Sequence, residues 1–211
     1  MSCAFRRCGW GHIAATDRLH SIMAQAAPSL ATYADYLEVE RNTGKKHEFC
    51  DGVILAMAGG TPAHADLGMN IGVLLHAALA GKPCRPSNSD QKIRVLATGL
   101  ATYPDISVFC GERVAHPEDP NAFVNPTVIV EVLSEGTEAY DRGEKFDHYA
   151  QIPSLRAYVM VSTRRRRVEV MEWEPDGSWT VRRYGPGERA VIKAIGVELP
   201  VERAYEGVDI P

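Results

Sequence analysis

The period of apolar and polar positions changes several times along the chain, and each change marks an element. Up to about residue 28 there is no regular period. From Ser29 onward the pattern settles. Ser29 or Thr32 can cap a short helix running through Glu40, with Tyr33, Tyr36, Leu37 and Val39 as apolar contacts and Gly44 as its stop. The stretch 48–57 reads as a hairpin turning at Asp51-Gly52. Gly59-Gly60-Thr61-Pro62 breaks that strand, and Leu67, Ile71, Leu74, Leu75 and Leu79 then recur at helical spacing. They predict a helix over 63–80, closed by Gly81 and Pro83. Short strands are expected over 84–87 and 91–95, then one opened by Pro104-Asp105. The polar, proline-bearing stretch 111–125 reads as a loop.

The run from Thr127 to Ser134 is β-branched and apolar except at Glu131, so it predicts a buried strand with a carboxylate in its middle. An unpaired ionised carboxylate there would cost several kcal/mol or more, so Glu131 needs a partner. Beyond it come a helix over 138–151, ending at Pro153, and strand-like runs over 157–162, 167–173 and 179–184. This order of helices, hairpin and strands predicts a mixed α/β domain over 28–211. Residues 1–27 read as a loose tail or an over-long start, because Met23 looks like a fresh beginning.

Composition narrows the function. The 211 residues carry a net charge of −4, which disfavours bulk, non-specific coating of nucleic acid. Only Arg164 to Arg167 form a dense basic run, fit to meet a phosphate backbone or simply to solvate a hairpin tip. The five cysteines are scattered, with no C-x-x-C, and read as free thiols in a reducing cytoplasm. No stretch is long and apolar enough for a membrane span, and the N-terminal segment has no signal-peptide core.

Asp105 and Glu131 carry the chemistry. If their strands are neighbours, the two carboxylates converge on one spot, an oxygen-only donor set that suits Mg²⁺ or Mn²⁺. Such an ion can polarise a phosphate and acidify a water, which is the chemistry of phosphodiester hydrolysis. A nearby lysine would orient the water and offset developing charge.

Four segments also resemble one family: H-E-F-C-D-G-V around Glu48, Y-P-D-I-S-V around Asp105, V-E-V-L-S around Glu131 and Y-D-R-G-E-K-F-D-H-Y from Tyr140 to Tyr149. Spread over roughly 31–199, they are similar to the Uma-two-type, restriction-endonuclease-like family, a branch of the PD-(D/E)xK nucleases. The resemblance implies a restriction-endonuclease-like core with a mixed central sheet flanked by helices. It also implies Mg²⁺ (or Mn²⁺) as cofactor and endonuclease action on DNA. Asp105 and Glu131 match the metal-binding acids, and Glu48 matches an upstream acid that joins them.

One position departs from the superfamily pattern. Leu133 stands where a lysine usually follows the second acid, and the resemblance suggests that Lys145, from the next helix, reaches back instead. Lys92 is a second candidate, in a strand expected beside Asp105. DNA is the expected partner and a homodimer the expected assembly, with no membrane contact.

Structural readings stand beside these. Lys145 can pair with Asp141 on a solvated helix, Glu131 can form a buried salt bridge with Arg142 or Lys145, and Glu48 can be an ordinary hairpin acid. His64 fits a capping role better than a ligand. The rival function is a catalytically silent relative, with the same fold serving as a binding or structural module.

Overall fold

The structure, a computed structural model, describes residues 30–57 and 59–210. The expected tail, 1–27, lies outside the described residues. In chain order the elements begin with α1 (Tyr33–Thr43), β1 (His47–Cys50), β2 (Val53–Ala56), α2 (Pro62–Ala78), β3 (Cys84–Ser87), β4 (Lys92–Arg94) and β5 (Ala101–Thr102). Then follow β6 (Ile106–Cys110), β7 (Ala115–His116), β8 (Asp119–Phe123), β9 (Val128–Leu133), α3 (Glu138–Arg142) and α4 (Glu144–Tyr149). The chain closes with β10 (Ala157–Ser162), β11 (Val168–Trp173), β12 (Trp179–Tyr184), β13 (Arg189–Ile192), β14 (Val197–Pro200) and α5 (Val201–Ala204).

The central sheet has the order β12-β11-β10-β9-β6-β3 and is mixed, since β9 and β10 run parallel while the other pairs are antiparallel. All six residues of β9 are buried, as a strand covered on both faces must be. Val128, Val130 and Val132 meet Leu67, Ile71 and Leu75 of α2 on one face. Ile129 and Leu133 pack on the other with Tyr149 and Tyr158, so the face shared by Ile129, Glu131 and Leu133 is as the alternation requires. A second sheet, β2-β1-β5-β4-β8-β7, contributes Ile93 to that same layer.

Local chemistry explains the best-defined boundaries. Thr32 and Asp35 close a capping box on α1, and Gly44 ends that helix in the left-handed region at φ 63°. Asp51 and Gly52 both take positive φ, the condition of the tight turn that joins β1 to β2. At α2 the Thr61 side chain accepts from the His64 backbone N–H, and Pro62 occupies the first turn.

Five expectations are corrected. The stretch 111–125 is not a plain loop: β7 and β8 lie in it, and β8 runs parallel to β4 through Lys92 opposite Ala122. Its residues do not alternate in hydrophobicity, so pairing alone makes them strands. The helix over 138–151 is broken at Gly143, whose φ −113° and ψ −103° are not helical. The C-terminal β13, β14 and α5, not expected from the pattern, pack beneath α2. Lys92 belongs to the second sheet rather than a strand beside Asp105.

The cysteines give the fifth correction. Cys84 and Cys110 sit opposite each other on β3 and β6 and form a disulfide. Free thiols are therefore overturned for this pair, and a cytoplasmic location loses its cysteine argument; Cys50 is a free thiol. The bond spans a sequence separation of 26 residues. By chain entropy, opening it is expected to lower stability by about 3 kcal/mol, read from urea melts with and without reductant. Identical melts would mean that the bond does not constrain the unfolded chain. No helix among the described residues is long and apolar enough to cross a membrane.

Candidate active site

Glu131 is nearly inaccessible, at 4% exposure, and β9 aims it at α4. There its Oε1 takes an ion pair from Lys145 Nζ at 2.8 Å and a hydrogen bond from the Tyr149 hydroxyl at 3.0 Å. Lys145 also reaches Asp141 at 3.2 Å, one turn back across the Gly143 break. The break lets α4 restart with Lys145 and Tyr149 facing the strand. Lys145 is thus not a solvated surface lysine, and Glu131 is not without a charge partner. Arg142, the other expected partner, pairs with Glu138 and Glu169 instead.

Asp105 stands just before β6, across from Glu131 on the neighbouring strand. Its Oδ2 accepts the Val132 backbone N–H at 2.7 Å and faces His64 Nε2 at 3.3 Å. The Asp105 N–H points at Glu131 Oε2, 3.4 Å away. The two acids are therefore brought together, each with one oxygen held by the protein. Among the described residues, Asp105 Oδ1 accepts no hydrogen bond, and Glu131 Oε2 has only that long contact.

Glu48 approaches from β1 of the second sheet. Its oxygens accept from the Thr102 and Tyr140 hydroxyls, each at 2.6 Å. Its charge reaches Lys145 and Tyr149. Lys92 is far less suitable: it is buried between Glu40 at 2.7 Å and Asp119 at 2.8 Å, and its charge is spent there.

The electrostatics follow from burial and crowding. Burial pushes the Glu131 carboxyl up to about 8; Lys145 opposes this and Asp105 and Asp141 add to it. Burial by itself would lower the Lys145 ammonium, but Glu131 and Asp141 outweigh it and hold the side chain charged. The hydrogen bond to Asp105 raises His64 above its ordinary value. Burial likewise drives the Tyr149 phenol up, so it stays a donor.

A cleft of about 930 Å³ opens over Asp105 and His64, with Lys45, Lys46 and His76 also lining it. The ring of His64 lies against Gly60, where a Cβ would stand 2.6 Å from Nδ1, so a side chain there would displace the imidazole. Sequence reasoning placed His64 only at a helix start; its signal was the Gly-Gly just before the cap. Arg164 to Arg167 form the turn between β10 and β11. That turn lies at the same sheet end as Leu133, since the Thr163 side chain donates to the Leu133 carbonyl at 2.6 Å.

A family model described as "Putative restriction endonuclease" (Uma2) matches residues 33–202. An uncharacterized protein of Synechocystis sp. is 37% identical over 174 residues, covering 82% of this chain and 90% of its own length. A second from the same organism is 30% identical over 172 residues, covering 82% and 97%. A crystal structure from Anabaena variabilis, named a "putative nuclease belonging to DUF820", superposes with a TM-score of 0.63 at 15% identity. That likeness covers 77% of this chain and 91% of the other, and it shows a shared fold.

Proposed function

The chain belongs to the Uma2 family, and on that premise we propose that it is a metal-dependent endonuclease that hydrolyses phosphodiester bonds of DNA. The observation that carries the reading is the pair of adjacent carboxylates, Asp105 and Glu131, each fixed through one oxygen with the other left for a ligand. That donor set suits Mg²⁺ or Mn²⁺, with Glu48 as the third acid. Held there, such an ion supplies Lewis-acid chemistry, drawing charge from a phosphoryl oxygen and lowering the pKa of a water.

The chain's own residues do the rest. Val132 N–H and His64 hold Asp105 in one orientation, and Tyr149 does the same for Glu131. Lys145, held charged, is an electrostatic group: it orients the attacking water and offsets charge on the phosphate, and does not serve as a base. The cleft over Asp105 admits the backbone, and the Arg164–Arg167 turn supports a second phosphate contact. A homodimer is part of the same reading, supported by the exposed Val181 on the edge strand β12, away from the cleft.

The test is cleavage of varied DNA substrates with Mn²⁺ or Mg²⁺, expected in their presence and lost in chelator. Because burial raises the Glu131 carboxyl to about 8, an ion bound there competes with a proton, and Mn²⁺ affinity is expected to weaken as the pH falls below that value. A pH-independent affinity would remove Glu131 from the ligand set. One observation favours the silent relative: Lys145 and His64 already pair the two acids within the protein. No cleavage of any DNA or RNA with Mn²⁺ would support that reading.

A further inference from the structure

On the face of α4 next to Lys145 lies a second group of ligand-type side chains, of a different chemistry from the oxygen-only site. Cys50 ends β1, and Glu144 and His148 stand one turn apart on α4. One ligand atom from each lies within 4.8 Å of the other two. Cys50 Sγ is 3.5 Å from His148 Nε2. A tetrahedral zinc with Zn–S of about 2.3 Å and Zn–N of about 2.0–2.1 Å sets sulfur and nitrogen about 3.6 Å apart. The observed spacing fits that geometry before any adjustment.

The thiol–imidazole contact alone leaves His148 poorly served. Among the described residues its Nε2 has no partner but the Cys50 sulfur and its Nδ1 has none, so no other group of the protein orients the ring. Glu144 is exposed and makes no salt bridge among the described residues, so a side-chain turn closes the remaining gap.

We propose that Cys50, Glu144 and His148 bind one Zn²⁺ or chemically similar ion, with water in the fourth position. Sulfur, nitrogen and one oxygen select zinc over Mg²⁺ or Mn²⁺, so this site and the Asp105–Glu131 site take different ions. On binding, the Cys50 thiol gives its proton to solvent as the metal–sulfur bond forms, with no change of oxidation state. The ion pins α4, which carries Lys145 and Tyr149, to β1, which carries Glu48. It is a clamp between the two sheets, and it does not depend on the nuclease reading.

Cobalt(II) is the probe, added to the full chain without reductant, with Cys3→Ser and Cys8→Ser removing the two cysteines outside the described residues. One equivalent is expected to give a thiolate-to-cobalt charge-transfer band in the near ultraviolet that Zn²⁺ displaces. Both Cys50→Ser and His148→Ala should abolish it, while Asp105→Ala leaves it intact. Zn²⁺ should raise the melting temperature of the parent and not that of Cys50→Ser. No band in the parent, a band that survives Cys50→Ser, or one lost with Asp105→Ala would each overturn the proposal.

Discussion

Lys145→Met is expected to cut Mn²⁺-dependent DNA cleavage by about 10²–10³-fold, the usual loss when a preorganised charge is removed from a transition state. The same change should destabilise the apo protein, by about 3–5 kcal/mol above about pH 8, where Glu131 is ionised and loses its buried partner, and by less below it, where Glu131 takes up a proton. Among the described residues, Lys145 is the one cation that touches both Glu131 and Asp141, at 2.8 and 3.2 Å, and both acids are buried. Methionine keeps the apolar stem that packs along the strand and removes only the ammonium. Saturating Mn²⁺ should restore part of the stability, since an ion replaces the missing positive charge. Urea melts in chelator and in Mn²⁺, beside a plasmid cleavage assay, read all three quantities. A variant that cuts and melts like the parent would take Lys145 out of the site, and the position of Lys92 offers no substitute.

Glu131→Gln should be as damaging to cleavage, again by about 10²–10³-fold, with the opposite outcome for stability. The amide oxygen still accepts from Lys145 and Tyr149, and one charge leaves a pocket that also holds Asp105 and Asp141. Burial raises the folded-state carboxyl to about 8 from an ordinary 4.5, so the folded protein binds this proton more tightly than the unfolded chain. The resulting stabilisation is fully present below the ordinary value and is lost as pH rises through about 8. Apo parent protein should therefore lose stability across that window, and Glu131→Gln should lack this part of the slope. At pH 8 in chelator the variant should be at least as stable as the parent. A loss of about 3–5 kcal/mol there would instead mark Glu131 as a structural half of a salt bridge.

Much of the fold is legible where local pattern and tertiary environment agree. The apolar run around Glu131 is buried on both faces, the Asp51-Gly52 hairpin turns where its glycine demands, and α2 follows its heptad-like leucines. The rest depends on partners distant in sequence. Asp119-Pro120-Asn121 offers no strand alternation, yet β8 exists because β4 and β7 lie beside it. Arg189 to Pro200 hides a hairpin whose register, Ala190 opposite Leu199, appears only once both strands are placed.

The site divides in the same way. Glu131 announces itself as a charge in an apolar strand, and the missing lysine after it directs attention to α4. By contrast, nothing local tells that His64 faces Asp105, that Lys92 belongs to Glu40 and Asp119, or that Cys84 lies opposite Cys110. Each of those pairs is set by sheet and helix packing, not by spacing along the chain.

Whether Asp105 and Glu131 share one divalent ion is read by calorimetric titration of Mn²⁺ into the parent and into Asp105→Ala. The Val132 N–H and His64 that serve Asp105 lie at the cleft, so the substitution should leave the strand core folded. The parent should bind one equivalent at this site, and Asp105→Ala should bind at least about tenfold more weakly, as expected for loss of one carboxylate ligand. Equal Mn²⁺ affinity in the two proteins would mean that Asp105 is not a ligand and that the two acids do not share an ion.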